Sequence, residues 1–345
     1  MSNTLGLGYG LKAFLSANAP ADLASVLYAL AEASLPVAHL IRRGRLAGAL
    51  DAAVGPAHDG IAQKALDVFA DAYFINGLKG SGARGVVSEE RDEPVEIDDD
   101  GTLLVAIDPL DGSSNIDANV TIGSVFSVLD APEGEFQTGR FLQRGVRQRA
   151  AGLIVYGPHL AFVFTTGNGV RIATFDPDTN EYRVSGDGAR IPAESNEFAI
   201  NAANSRHWSG PVQAYIEDLL EGDDGPRGRN FNMRWVGSMV ADVYRILIRG
   251  GVYLYPEDSR PGYERGRLRL LYEANPVAFL IEQAGGAAID GFQRILEIEP
   301  RSIHGRTPLI FGSTAKVERI GRYYRENSAS TNESPLFAKR GLLRR

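Results

Sequence analysis

Two aspartates, Asp108 and Asp111, follow the apolar run Leu103-Leu104-Val105 inside the stretch "AIDPLDGSSNID" (106–117). Pro109 stiffens the turn between them, and Gly112, Ser113 and Ser114 come directly after. As plain structure this reads as a strand ending in a turn, because Asp, Pro, Gly, Ser and Asn are all turn formers. As chemistry it reads as a cation site. Crowded carboxylates repel one another and favour protonation, and a hard divalent cation removes that repulsion. Mg²⁺ takes carboxylates, carbonyls and water in octahedral geometry, which makes the Leu110 carbonyl an extra candidate ligand. If Gly112 to Ser114 open a helical turn, their N–H groups and hydroxyls are placed to meet phosphate oxygens.

More carboxylates could join this group. Glu89 and Glu90 end the segment "GVVSEE", and Asp67 sits on an expected helix with Asp71 one turn further on the same face. Glu273 lies just before Asn275-Pro276, where Asn reads as a helix cap and Pro as the first helical residue. Each alone reads equally well as a solvated acid. Spacing does not show whether they meet.

The elements that must position these groups follow from periodicity. Residues 21–47 read as a helix that Pro36 bends or divides, and residues 61–78 as a second helix. In the second, Leu66, Phe69 and Tyr73 mark one apolar stripe, and Ala65, Val68, Ala72 and Ile75 an adjacent one. Strands are expected at 103–107, 120–129 and through 151–183, with hairpin signals at Gly167-Asn168-Gly169 and Asp176-Pro177-Asp178. The second half alternates: strands at 198–201, 251–255 and 309–312, helices at 211–221, 239–249, 275–285 and 315–326. Such alternation predicts an α/β layer. Three segments are expected: 1–190, an N-terminal α+β subdomain that carries the candidate metal-binding acids; 191–326, a C-terminal α/β subdomain, which the resemblance given below implies to be sugar-phosphate-binding; and 327–345, a flexible tail. Gly80, Gly82 and Gly85 form G-x-G-x-x-G, but a helix precedes and a strand follows, the reverse of a dinucleotide fingerprint, so they read as a loop.

Composition narrows the classes. Of 345 residues, 44% are hydrophobic and 23% charged, the profile of a globular protein. A net charge of −7 argues against a nucleic-acid surface, so cations for an anionic substrate must be gathered locally. The absence of cysteine removes thiolate nucleophiles, Cys-based zinc sites and thiol switches together. The five histidines show no metal-ligand spacing. No signal-peptide pattern opens the chain, and no run is expected to reach the length of a membrane helix, so the expectation is a soluble cytoplasmic protein with no membrane partner.

The motif "DPLDGSSNID" (108–117) resembles the metal-binding signature of class I fructose-1,6-bisphosphatase, within the lithium-sensitive, inositol-monophosphatase-like phosphatases. The resemblance covers roughly residues 58–325 and includes "QKALDVFAD" (63–71), "SEE" (88–90), "WVGSMVADVYR" (235–245), "GGVYLYP" (250–256), "GRLRLLYEANP" (266–276) and "FLIEQAGGAAIDG" (279–291). It implies a layered α-β-α-β-α sugar phosphatase fold. It implies metal ligands at Glu89, Glu90, Asp108, Leu110 (carbonyl), Asp111 and Glu273, with Asp67, Glu90 and Asp111 in catalytic roles. It implies two or three Mg²⁺ per subunit, with Mn²⁺ able to substitute. Asp111, Gly112, Ser113 and Ser114 would surround the 1-phosphate; Asn201, Arg234, Tyr255 and Arg267 would hold the 6-phosphate, Arg234 coming from a neighbouring subunit. Gly237, Ser238 and Met239 would line the sugar, and Arg269 would support Glu273. The expected partner is a small sugar bisphosphate, the assembly a homotetramer, and the reaction hydrolysis of the 1-phosphate in gluconeogenesis or the Calvin cycle.

Several positions depart from the familiar pattern. Arg267 replaces a common Lys, and Trp235 and Asn204 replace tyrosines that contact phosphate. Ile61 opens the expected second helix where relatives often carry an acid, although Asp59 is close by. The AMP-binding segment of many relatives is not recognisable in residues 20–45, and Thr102-Leu103 replaces a Lys-Tyr pair, so weak or absent AMP inhibition is expected. Thioredoxin control has no cysteines to act on. The rival readings are a sedoheptulose-1,7-bisphosphatase or dual-specificity enzyme, an inositol monophosphatase, and a non-catalytic sugar-phosphate sensor.

Overall fold

A computed structural model describes residues 8–50, 52–58, 61–185 and 188–332, so Asp59 and the segment 333–345 lie outside the described residues. Among the described residues, seven α-helices flank two main sheets: α1 (Leu11–Asn18), α2 (Ala21–Arg43), α3 (Ala65–Gly77), α4 (Gly210–Leu220), α5 (Met239–Arg249), α6 (Asn275–Gln283) and α7 (Thr314–Asn332). The larger sheet has nine strands, ordered Tyr9–Gly10, Glu181–Val184, Val170–Asp176, Leu160–Thr165, Gln148–Tyr156, Ile122–Asp130, Leu103–Asp111, Ala83–Ser88 and Val95–Glu96. Its one parallel pairing joins Ala83–Ser88 to Leu103–Asp111. The second sheet has five strands, ordered Asn232–Met233, Glu197–Ile200, Val252–Tyr255, Leu309–Gly312 and Ala287–Ile289.

The pleat sorts the side chains into layers. Along Leu160–Thr165, Leu160, Phe162 and Phe164 pack with α1, α2 and α3, while Ala161 and Val163 turn the other way toward α5 and α6. Tyr253, Phe311 and Ala288 of the second sheet pack on that same α5–α6 layer. Phe198, Ile200, Leu254 and Ile310 face outward onto α4 and α7. The result is helix, sheet, helix, sheet, helix, as the resemblance implies. Alternating faces explain why the Leu103–Asp111 strand reads as a continuous apolar run: both of its faces are covered.

Several expectations are corrected. The strand does not stop at residue 107 but continues to Asp111, with a register break between Asp108 and Asp111 where Asp108 Oδ1 accepts the Leu110 N–H at 2.9 Å. The second helix begins at Ala65, and Ile61 belongs to the strand Ile61–Lys64 instead. Its buried face is Leu66, Ala70 and Phe74 with Asp67 and Asp71, whereas Val68, Phe69 and Tyr73 of the expected stripes are exposed. The i, i+4, i+8 line packs on the sheet, and apolar residues alone did not reveal it because two buried positions are acids. Asn275 is already helical (φ −62°, ψ −52°) and so is no cap; a wide π-type turn, Leu270–Ala274, runs into α6 ahead of it. Gly80 and Gly82 lie in a loop with positive φ, but Gly85 is within a strand, where a side chain would strike Phe136. The last helix extends to Asn332, past residue 326.

By length and composition the stretch Ala21–Ala47 is apolar enough to cross a membrane, contrary to the reading of the sequence. Here Leu23, Val26, Leu27, Leu30 and Val37 bury that apolar face against the nine-stranded sheet, and α2 runs on through Pro36 without division.

Candidate active site

Asp108 and Asp111 leave the last turns of the Leu103–Asp111 strand, and Glu273 comes from the wide turn before α6. One carboxylate oxygen from each lies within 4.8 Å of the other two, and all three side chains are buried. Burial pushes the Asp108 carboxyl well above the usual range, and the charges of Glu89, Asp111, Glu273 and Glu90 push it further. Glu273 is likewise held up by burial first, then by Glu89 and Asp111. Asp111 is pushed up to about 7 by burial, against the pull of amide donors at the start of α5. One of these, the Val240 N–H, donates to Asp111 Oδ2 at 3.0 Å. A helix N-terminus is therefore spent on holding Asp111 in place. Five acids far apart in the chain thus share one field.

Glu89 and Glu90 occupy the turn after the Ala83–Ser88 strand, where the Glu89 N–H bonds the Ile107 carbonyl at 3.0 Å. The parallel pairing of the two strands brings their carboxyl ends together. Asp67 sits in the first turn of α3, with Oδ2 accepting the Lys64 N–H at 2.9 Å. Its other oxygen, Oδ1, is buried and has no hydrogen-bond partner. Asp71 is not part of the acidic group: Arg91 Nε bonds it at 2.6 Å.

An all-oxygen set of this charge suits a hard divalent cation and offers nothing soft. The buried, unpartnered Asp67 Oδ1 and the mutual repulsion of Asp108, Asp111 and Glu273 both fit such an ion. Buried carboxylates are otherwise costly to keep charged.

Beside the acids, Gly112 adopts φ +80° and leads into the short 3₁₀ turn Ser113–Asn115. A Cβ on Gly112 would come within 3.2 Å of Ser238 Oγ, itself buried without a hydrogen-bond partner. Asn115 Nδ2 bonds the Gly237 carbonyl at 2.9 Å, and Lys64 Nζ bonds the Ser113 carbonyl at 2.7 Å. The Gly112–Ser114 loop is thus pinned to α5 on one side and α3 on the other, with Ser114 exposed. Met239 is buried just behind Ser238.

Asn201, Asn204 and Tyr255 line one pocket, together with Trp208 and Asp258. The Arg267 guanidinium lies 4.5 Å from the Tyr263 ring centre and its charge reaches Tyr255. Trp235 stacks on Tyr253 at 5.5 Å and leans on Tyr255 at 6.1 Å. Arg234 is exposed and lines a different groove, with Glu197, Phe198 and Asp242, so Asn201, Tyr255 and Arg267 do not gather it within one chain.

Arg269 bonds Glu273, the neighbour expected of it, but sequence reasoning missed two contacts: Arg269 Nε reaches Glu89, and Lys64 Nζ holds the Ser113 carbonyl. Both are tertiary contacts between distant segments, and no local signal announces them.

Family models described as the N-terminal and C-terminal domains of fructose-1-6-bisphosphatase match residues 11–187 and 191–325. A class 1 fructose-1,6-bisphosphatase of Methylorubrum extorquens (strain PA1) is 51% identical over 324 residues, covering 94% of this chain and 93% of that protein. One of Paracoccus denitrificans is 51% identical over 325 residues, 94% of this chain and 96% of its own. The crystal structure of Leishmania major fructose-1,6-bisphosphatase in holo form superposes with a TM-score of 0.86 at 32% identity, over 92% of this chain and 99% of that one. Shared sequence across both halves, the same layering and a buried acidic cluster lead to one conclusion: this chain belongs to the class 1 fructose-1,6-bisphosphatase family.

Proposed function

We propose that the protein hydrolyses the 1-phosphate of fructose 1,6-bisphosphate, giving fructose 6-phosphate and phosphate, in a divalent-metal-dependent reaction. The observation that carries this reading is the convergence of Asp108, Asp111 and Glu273, with Glu89 and Glu90 in the same field, beside the Gly112–Ser114 loop. Glu89, Glu90, Asp108, the Leu110 carbonyl, Asp111 and Glu273 would hold two or three Mg²⁺. Bound there, the ions supply Lewis-acid activation of water and charge neutralisation at the leaving oxygen. The chain does the rest. The N–H groups of α5 and Arg269 fix the carboxylates, so little reorganisation is needed when charge develops. Gly112, Ser113 and Ser114 surround the reacting phosphate. Glu90, or Asp67 through its unpartnered Oδ1, accepts the proton of the attacking water.

Asn201, Tyr255 and Arg267 hold the distal phosphate, while Gly237, Ser238 and Met239 line the sugar. Binding energy at the remote end then orients the reacting one. Arg234 completes the cradle from a neighbouring subunit, which requires at least a dimer; a homotetramer in the cytoplasm is the assembly proposed. Segments 1–190 and 191–326 divide the labour between metal and distal phosphate.

Phosphate release from fructose 1,6-bisphosphate by the purified protein, with and without Mg²⁺, is the test. Expected is turnover that chelator abolishes and Mg²⁺ restores. No release in any divalent metal would refute the reading. Sedoheptulose 1,7-bisphosphate shares the reacting end, and its kcat/KM relative to fructose 1,6-bisphosphate assigns the preference.

A further inference from the structure

On the outer α4–α7 layer, cations gather around one aromatic ring. Lys316 of α7 is fully buried, and its Nζ lies 4.3 Å from the centre of the Phe231 ring with no hydrogen-bond acceptor. The guanidinium carbons of Arg227 and Arg229 lie 5.0 and 5.2 Å from the same ring centre. Arg227 also sits 5.8 Å from the Tyr215 ring, and its Nη1 is buried without an acceptor. Arg319 of α7 adds a fourth positive charge to the field at Lys316. Carboxylates near these include Glu194, which bonds Arg229 and whose charge also reaches Lys316, and Asp218, which accepts the Tyr323 hydroxyl.

A cation–π contact is weak beside the desolvation of a buried ammonium, and Glu194, the carboxylate whose charge reaches Lys316, is already bonded to Arg229. One ring shared by three cations does not offset that desolvation. Burial first, then Arg227 and Arg229, push the Lys316 ammonium down to about 7. Two buried donors, Lys316 Nζ from a helix and Arg227 Nη1 from a loop, thus flank one ring, and neither is paired with a carboxylate.

We propose that Lys316, Arg227 and Arg229 form a binding site for a small oxyanion, inorganic phosphate or a phosphate monoester. The site lies across the five-stranded sheet from α5 and α6 and uses none of the acidic cluster. Two guanidinium groups and an ammonium offer planar and point-charge donors, a combination suited to tetrahedral oxygens. The loop that carries Arg227 and Arg229 leads within a few residues to Arg234 on the strand Asn232–Met233 and its C-terminal flank. Occupancy would therefore order the approach to Arg234.

The experiment is calorimetric titration of the full-length protein with sodium phosphate in chelator, so that no metal-held phosphate contributes. Expected is a binding step that Lys316→Met and Arg227→Gln each weaken at least tenfold and that Arg267→Ala retains. Arg227 is only half-buried on a loop, so Arg227→Gln gives the answer even where Lys316→Met does not fold. A parallel titration with glycerol 3-phosphate distinguishes the sources: at least tenfold tighter binding assigns a monoester, equal binding assigns inorganic phosphate. The proposal is overturned if Arg267→Ala removes all phosphate binding, or if Arg227→Gln and Lys316→Met bind phosphate as the unaltered protein does.

Discussion

The backbone N–H of Arg269 donates to Glu273 Oε2 at 2.5 Å while its Nε lies 3.2 Å from Glu89 Oε1, so one residue fixes two carboxylates 184 positions apart (273 − 89). A third bond, from Nη1 to the His304 carbonyl at 2.9 Å, keeps the guanidinium from swinging away. Groups that orient metal ligands typically change affinity by about 10–100-fold when removed. Arg269→Gln is therefore expected to raise the Mg²⁺ concentration for half-maximal activity by about that factor while kcat at saturating Mg²⁺ falls much less. A Mg²⁺ titration of the variant checks this; an unchanged midpoint would show that Arg269 only fills space.

The acidic cluster was legible in the chain, and so was Arg269 beside Glu273; the contacts of Arg269 with Glu89 and of Lys64 with Ser113 were not. Asp108, Leu110 and Asp111 sit in one contiguous motif, so composition and order reveal them together. Glu273 was found through the flanking "LRLLYEANP", although the turn that carries it is wider than a cap would give. The face of α3 was misread because Asp67 and Asp71 are buried where apolar residues were sought. Lys316 drew no notice: a lysine in an amphipathic helix reads as solvated until α4 and its following loop are folded over it. Pairing across a sheet, or a loop laid on a helix, is a tertiary fact that periodicity does not encode.

Removing a ligand should cost turnover without unfolding the chain. Asp111→Ala deletes a carboxylate held by the start of α5, and Glu90→Gln removes a charge from the same field. Charge stabilisation by a metal site contributes several kcal/mol to the transition state, so kcat is expected to drop by about 10³-fold or more in each. Circular dichroism should stay native. Near-normal turnover in Asp111→Ala would discredit the assignment of this aspartate.

Stability of the metal-free protein should fall as pH rises. Asp111 and Asp242 each have an ordinary value of 3.8 and are pushed up to about 7 by burial. Between these values the folded chain holds protons that the unfolded chain has released. Their contribution is thus complete below the unfolded value and lost as pH rises through about 7. In chelator the melting temperature is expected to decline from about pH 5 to about pH 7, above which Lys316, held down to about 7, adds a slope of the opposite sign, and Mg²⁺ should restore more of it at the higher pH. Asp111→Asn should flatten the decline. A melting temperature that climbs over this window in chelator contradicts the prediction.

AMP should leave the enzyme largely unaffected. Leu103 is fully buried in its strand, and Thr102 Oγ1 is taken up by Asp22 Oδ2 at 3.2 Å, so this pair presents no cation or phenol to a nucleotide phosphate. Initial rates at saturating Mg²⁺ are expected to change by less than about twofold up to about 1 mM AMP, a difference of under about 0.5 kcal/mol. Half-inhibition at micromolar AMP would show a nucleotide site elsewhere in the chain.

Arg267 tests whether the distal pocket binds a phosphate. Its guanidinium stacks on Tyr263 at 4.5 Å, which orients the planar donors before substrate arrives, and its charge already bears on Tyr255. Losing one partner of a charged hydrogen-bonded pair costs about 2–5 kcal/mol, so Arg267→Ala should lower kcat/KM for the bisphosphate by about 30-fold or more. The same variant should hardly change turnover of a monophosphate that lacks the distal group, because no partner is then lost. Arg267→Lys keeps the charge but not the fork or the stack, and should fall between the two. Equal losses on both substrates would move Arg267 from phosphate recognition to mere support of the pocket wall.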